Sequence, residues 1–183
     1  YEKNKSTYER EMENLRTDIA NQQEYLDHSI WINMSPYDVC EARADLFVST
    51  GYQIMPGMEY QNRDNTDTIL QAYQSLLTSS AVLEDVAKQV KTEPRYLEEL
   101  VEVTIGANRD GQLNRMLTID VKHTTKEDAK EVLDAFLAHV DDMHDRIATS
   151  IGEHTVSIVN ESVSALVNLN LAELQRQQTE KLT

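Results

Sequence analysis

One stretch, from Leu113 to Ile147, limits what this chain can fold into more than any other. It reads as a strand, a short polar turn and a long amphipathic helix. Leu113, Leu117, Ile119 and Val121 fall on one face of the strand, with the polar Arg115 breaking the row. His123-Thr124-Thr125 makes the turn. Thr124 and Glu127 have the spacing of a capping box, in which each side chain satisfies a free backbone N–H at the helix start. Ala129, Val132, Leu133, Phe136, Leu137, Val140, Met143, Ile147 and Ile151 then recur at helical spacing, a stripe wide enough to cover a sheet.

The rest of the chain supplies the other strands. From Asp38 to Ser49, Cys40, Ala42, Ala44, Leu46 and Val48 share one face, and Glu41, Arg43 and Asp45 share the other. Thr66 to Val90 reads as helix, broken at Thr78-Ser79-Ser80, where hydroxyls compete for backbone hydrogen bonds. Tyr96 to Glu99 is a short helix, and Leu100 to Ile105 a strand joined to the central one by the turn Asn108-Arg-Asp-Gly111. Gly152 stops the long helix, and His154 to Ser162 is the fourth strand. The economical packing is an α+β fold of about four strands in one sheet covered by amphipathic helices. Leu133, Phe136, Leu137 and Val140 are expected to pack on Ala44, Leu46, Leu117 and Ile119.

Both ends of the chain are polar helices with narrow seams. Tyr8, Met12, Leu15, Ile19, Gln22 and Leu26 recur at alternating intervals of 4 and 3, as in a heptad repeat. Val167, Leu171, Leu174 and Gln178 do the same. The organisation expected is a stalk helix over residues 1–28, an alpha/beta domain over 29–163 and a second stalk helix over 164–183. The two terminal helices would pair antiparallel in a coiled-coil-like stalk. Ser29-Ile-Trp-Ile-Asn-Met34 lies at the junction, and Trp31, the only tryptophan, reads as a junction or core residue rather than a ligand-stacking one. The loop from Gly51 to Asn65 carries Tyr52, Ile54, Met55, Met58 and Tyr60, which either tuck back on the domain or touch another subunit.

A net charge of −15 on 183 residues argues against nucleic acid, because little here would neutralise phosphates, and against an anionic lipid surface. Cys40 is the only cysteine and falls on an apolar face, so it reads as a buried thiol with no internal disulfide. No apolar run approaches the roughly 20 residues of a membrane span, and no signal peptide is visible. The chain starts at Tyr1, inside a helix already under way, which reads as a fragment whose anchors lie outside it.

Taken in order, four stretches resemble the extracytoplasmic domain of Wzz-type chain-length determinants, the polysaccharide co-polymerases. Asp38-Val-Cys-Glu-Ala-Arg-Ala-Asp-Leu-Phe-Val48 is similar to that family's first strand. Ile69 to Val86, with its Tyr, Leu, Ser and Val-Leu-Glu spacing, resembles its helical segment. Leu117-Thr-Ile-Asp-Val-Lys-His-Thr-Thr-Lys-Glu-Asp-Ala129 resembles its strand-to-helix turn, and His154-Thr-Val-Ser-Ile-Val-Asn160 its last strand. The helix before the first strand and the polar C-terminal helix depart from the family pattern. The resemblance implies a non-enzymatic domain on the extracytoplasmic face of a bacterial membrane, anchored by spans outside this chain. It also implies a homo-oligomer that works with polysaccharide assembly machinery or a cognate kinase.

The residues themselves announce no catalytic or cofactor site. Gly106-Ala-Asn-Arg-Asp-Gly111 lacks the lysine and following helix of a phosphate-binding loop, so a kinase would be a separate protein. His139, Asp142, His144 and Asp145 are spaced to share a face of the long helix as cation ligands, but a solvated acidic face is the commoner origin of such a cluster in a chain this acidic. Asn4-Lys-Ser6, Asn33-Met-Ser35 and Asn160-Glu-Ser162 match glycosylation sequons, which are chance matches in the bacterial setting that the resemblance implies. Two further readings stand beside the polysaccharide one: a coiled-coil scaffold or adaptor with an alpha/beta head, and a hydrolase or metal enzyme.

Overall fold

The computed structural model describes residues 2–53, 55–57, 63–111 and 113–181. The long helix α1 (Glu2–His28) runs into a one-turn helix α2 (Ile30–Asn33), capped by the Ser29 hydroxyl. Strand β1 (Val39–Thr50) follows, then α3 (Thr66–Leu77), α4 (Ser80–Gln89) and α5 (Pro94–Glu98). Next come β2 (Val101–Ala107), β3 (Leu113–His123), α6 (Lys126–Ser150), β4 (His154–Leu166) and α7 (Leu169–Glu180).

The four strands form one sheet in the order β2-β3-β1-β4, every neighbouring pair antiparallel. Strand β3 lies between β1 and β2, and β1 lies between β3 and β4, so each helical connection crosses one intervening strand. This is the split β-α-β, ferredoxin-like arrangement. The expected α+β fold is present, and the helices α3 and α6 lie on one face of the sheet.

Alternation in β1 does what the sequence predicts. Ala42, Ala44, Leu46 and Val48 are fully buried against that helical layer. Leu117, Ile119 and Val121 of β3 join them, as do Leu133, Phe136 and Val140 of α6. Leu137 is only partly buried, at the rim of the stripe, while Ala135 on the other rim is covered. The helix start also differs by one residue. Thr125, in extended backbone, accepts from the Asp128 N–H and is the cap, while the Thr124 hydroxyl bonds to the His123 ring.

Two bulges break the strand alternation. Between Asp45/Leu46 and Asn160/Ile158, β4 carries Val159 as an extra residue. Between Ile105/Ala107 and Leu117/Leu113, β3 carries the surplus, with Arg115 at a φ of 64°. Gly106 faces this second bulge, and the Asn114 side chain fills the space a Cβ would need. Beyond the bulge Leu113 pairs with the exposed Ala107 at the end of the ladder and is half-buried, although it shares the sequence face of the fully buried Leu117. The break between α3 and α4 is as expected: Thr78 bonds back to the Gln74 carbonyl, and Ser79 caps α4 through the Val82 N–H.

A second, smaller cluster of Met34, Val39, Leu100 and Leu171, flanked by Trp31 and Leu166, joins both ends of the chain to the head. Strand β4 runs on to Leu166, and α7 begins by burying Leu171 completely. The Gln175 amide donates to the Ile32 and Met34 carbonyls, and the Asn168 N–H to the Pro36 carbonyl. Both terminal segments are helical, and they meet where the Gln22 amide donates to Gln178 at 2.7 Å. Further out, Tyr8, Met12, Leu15 and Ile19 of α1 are exposed. Of the loop after β1, Tyr52 is partly buried and Met55 half-exposed; Ile54, Met58 and Tyr60 lie outside the described residues.

Candidate functional site

The polar residues that could do chemistry sit in three places. The first is where the start of β4 meets α3 and α6. Gly152 lies in the short connection from α6, and His154, the first residue of β4, is buried. His154 Nδ1 lies 2.9 Å from the Gly152 carbonyl, so Nδ1 carries the proton and donates there. Nε2 is then bare and accepts from the Tyr73 hydroxyl at 2.6 Å, with the rings edge to face. Burial, helped by the charges of Asp141 and Asp145, pushes the Tyr73 hydroxyl up to about 12. At neutral pH the phenol keeps its proton, and His154 already has a donor on its free nitrogen. The pair acts as a brace between α3 and β4.

His144 extends this brace from α6. Its Nε2 donates to the His154 carbonyl at 2.9 Å, and its Nδ1 faces the Asp145 carboxylate at 3.1 Å. The carbonyl first, then the carboxylate, raise its pKa. A cleft of about 350 Å³ opens here between Val140, His144, His154 and Val156. The other residues considered as cation ligands are elsewhere. His139 bonds Asp85 on α4 at 2.9 Å, and Asp142 lines a separate cleft with Val82 and Arg146. The helix spacing puts His139 and Asp142 toward α4 and His144 toward β4. Among the described residues no three His, Cys, Asp or Glu side chains gather as a cation site.

The second place is the sheet face away from α3 and α6. Glu41, Arg43 and Asp45 of β1 stand beside Thr118, Asp120 and Lys122 of β3. Burial alone would raise the Asp45 carboxyl, but hydrogen bonds from Thr118, Asn160 and Arg43 together hold it below the ordinary carboxylate range. Glu41 is raised by burial and by the charge of Asp120, against the pull of Lys122. The Lys122 ammonium lies 3.1 Å from Asp120 and 3.7 Å from Glu41. These carboxylates are committed to neighbours on their own sheet. What remains is a polar face on which Glu41, Asp45, Asp120 and Lys122 are largely covered and Arg43 is the more exposed group.

The third place is the groove of about 300 Å³ where Trp31, Glu99, Glu102, Lys122 and Leu174 meet. Trp31 packs against the small cluster, as a junction residue does, and Ser29 donates to Glu99 at 2.8 Å beneath it. Cys40 is buried, its thiol 3.7 Å from the Thr124 carbonyl, and burial raises its pKa, so it is held as an unreactive thiol. The Tyr73–His154 pair is not visible in the sequence, because 81 residues separate its members and no local spacing links them. The one signal is a histidine opening a strand just after a helix-stopping glycine.

Among the described residues, no helix is long and apolar enough to cross a membrane. No family model and no curated protein matches this chain. Several solved structures share a distant likeness. AtUAH in complex with glyoxylate is 13% identical at a TM-score of 0.31, over 78% of this chain and 32% of that one. AtUAH in complex with (S)-hydroxyglycine is 15% identical at 0.32, over 78% and 32%. A hydantoinase/carbamoylase family amidase from Burkholderia ambifaria is 13% identical at 0.30, over 86% and 36%. This chain thus spans about a third of the length of each.

Proposed function

We propose that this chain is a non-enzymatic extracytoplasmic domain of a membrane-anchored bacterial protein that regulates the chain length or export of a surface polysaccharide. The observation that carries the reading is the placement of the two terminal helices. The chain reaches the head through α1 and leaves it through α7 at one end, joined by Gln22–Gln178 and the Gln175 bonds to α2. A domain tethered to one surface at both ends needs that arrangement. The four stretches that resemble chain-length determinants supply further support, since they fall on β1, α3–α4, β3–α6 and β4 in order. The membrane spans belong to segments outside residues 1–183, and the partners are polysaccharide assembly machinery or a cognate kinase.

The test is made in the host bacterium with the full-length protein. Replacing residues 39–166 by a short flexible linker, with membrane level checked by immunoblot, should broaden or shift the length distribution of the surface polymer on a gel. An unchanged distribution at normal protein level would sink the proposal. The scaffold reading has one observation in its favour, the exposed seam of α1, and it predicts that unchanged distribution.

A further inference from the structure

The seam of α1 outlasts the partner that this chain provides for it. α7 meets α1 at Gln178 and ends at Glu180. Toward the N-terminus the same stripe continues uncovered, with Tyr8 64%, Met12 37%, Leu15 54% and Ile19 45% exposed. Apolar side chains at unbroken 4–3 spacing on a solvent-facing helix need a second helix. We infer that the outer half of α1 pairs with α1 of a second copy of this chain, parallel and in register.

The charges flanking the seam select that partner. With Met12 and Ile19 as one set of core positions and Tyr8 and Leu15 as the other, Glu11 precedes a core residue and Arg16 follows one. In a parallel pair these two positions face each other across the interface, so Glu11 of each copy meets Arg16 of the other, twice per dimer. An antiparallel self-pairing over the same seam would set Glu11 against Asp18, a repulsion that offsets the Glu9–Arg16 attraction it would also make. Glu11 and Arg16 are both exposed and make no salt bridge within the described chain. Ile19 and Leu15 in their respective core positions favour two strands over three. Near the head the Gln22–Gln178 contact takes over, so the pairing is confined to about two heptads and the association is concentration-dependent.

The inference does not depend on the polysaccharide reading, and its test reads mass rather than polymer. Sedimentation velocity of the 183-residue chain at rising concentration and low salt should show a monomer–dimer equilibrium. Glu11→Arg alone and Arg16→Glu alone should each weaken it about tenfold or more by placing like charges opposite. An equimolar mixture of the two variants should restore the dimer. The arginine introduced into one chain then meets the glutamate introduced into the other, and the unaltered Glu11 and Arg16 face each other across the same interface. Circular dichroism of the variants keeps loss of the helix apart from loss of pairing. Three outcomes would overturn the inference. One is a wild-type chain monomeric to millimolar concentration. Another is a dimer indifferent to both changes, which puts the contact on another surface. The third is a dimer strengthened by Glu11→Arg, which marks antiparallel pairing.

Discussion

Two histidines, His123 just before α6 and His144 on it, sit in opposite settings. His123, at the end of β3, is lowered by burial, partly offset by Asp128 and Glu131, and its Nδ1 accepts the Thr124 N–H at 2.8 Å. That bond needs the neutral ring. His144 is raised by the His154 carbonyl and by Asp145. NMR titration should find His123 below, and His144 above, the ordinary value near 6.5; the reverse order would contradict both environments. The linkage follows from the directions. What His123 contributes is present above about 6.5 and is lost as pH falls through its lower folded value. What His144 contributes is present below about 6.5 and is lost as pH rises through its higher folded value. Neither setting is legible in the sequence. The spacing of His144 and Asp145 places them together, but the group that decides the ring's role is a backbone carbonyl from β4, supplied only by the fold.

At the scale of elements, period is the reliable signal and tertiary detail the unreliable one. The helical stripe of α6 and the alternation of β1 can be read directly, because each repeats on one buried face. The bulges at Val159 and Arg115 cannot, since nothing local marks the one extra residue in β4 or the two in β3. The rim of the α6 stripe escapes for a related reason: spacing gives a face, but its width depends on what packs beside it. Leu133 is fully buried and Leu137 only partly. Leu133→Ala should therefore cost about 2–5 kcal/mol in urea denaturation, and Leu137→Ala clearly less, about 1 kcal/mol. Equal losses would mean that α6 is rotated about its axis relative to the described packing.

For the molecule as a whole, the division into a main core and a small cluster decides how the terminal helices are held. The N-terminal helix is legible as a 4–3 seam and α7 only in part, since β4 runs to Leu166 and Val167, expected on the seam, lies before the helix and is exposed; their attachment is not legible, because Met34, Val39, Leu100 and Leu171 come from four separate stretches. Leu171 is the one fully buried residue that α7 contributes. The main core has its own residues on α3, α4, α6 and the sheet, and Val101 packs against both clusters without being buried fully in either. Removing the Leu171 side chain leaves a cavity in a cluster of only four buried residues, a loss of about 2–5 kcal/mol. The cluster has little else with which to hold α7, so Leu171→Ala should release that helix while the head stays folded. Hydrogen exchange should then show fast exchange at the α7 amides, with protection retained in β1 and β3. Fast exchange throughout the sheet would mean that the two clusters form one cooperative unit. Unchanged α7 protection would mean that the Gln175 and Gln22–Gln178 hydrogen bonds, rather than apolar burial, hold the chain's exit to the head.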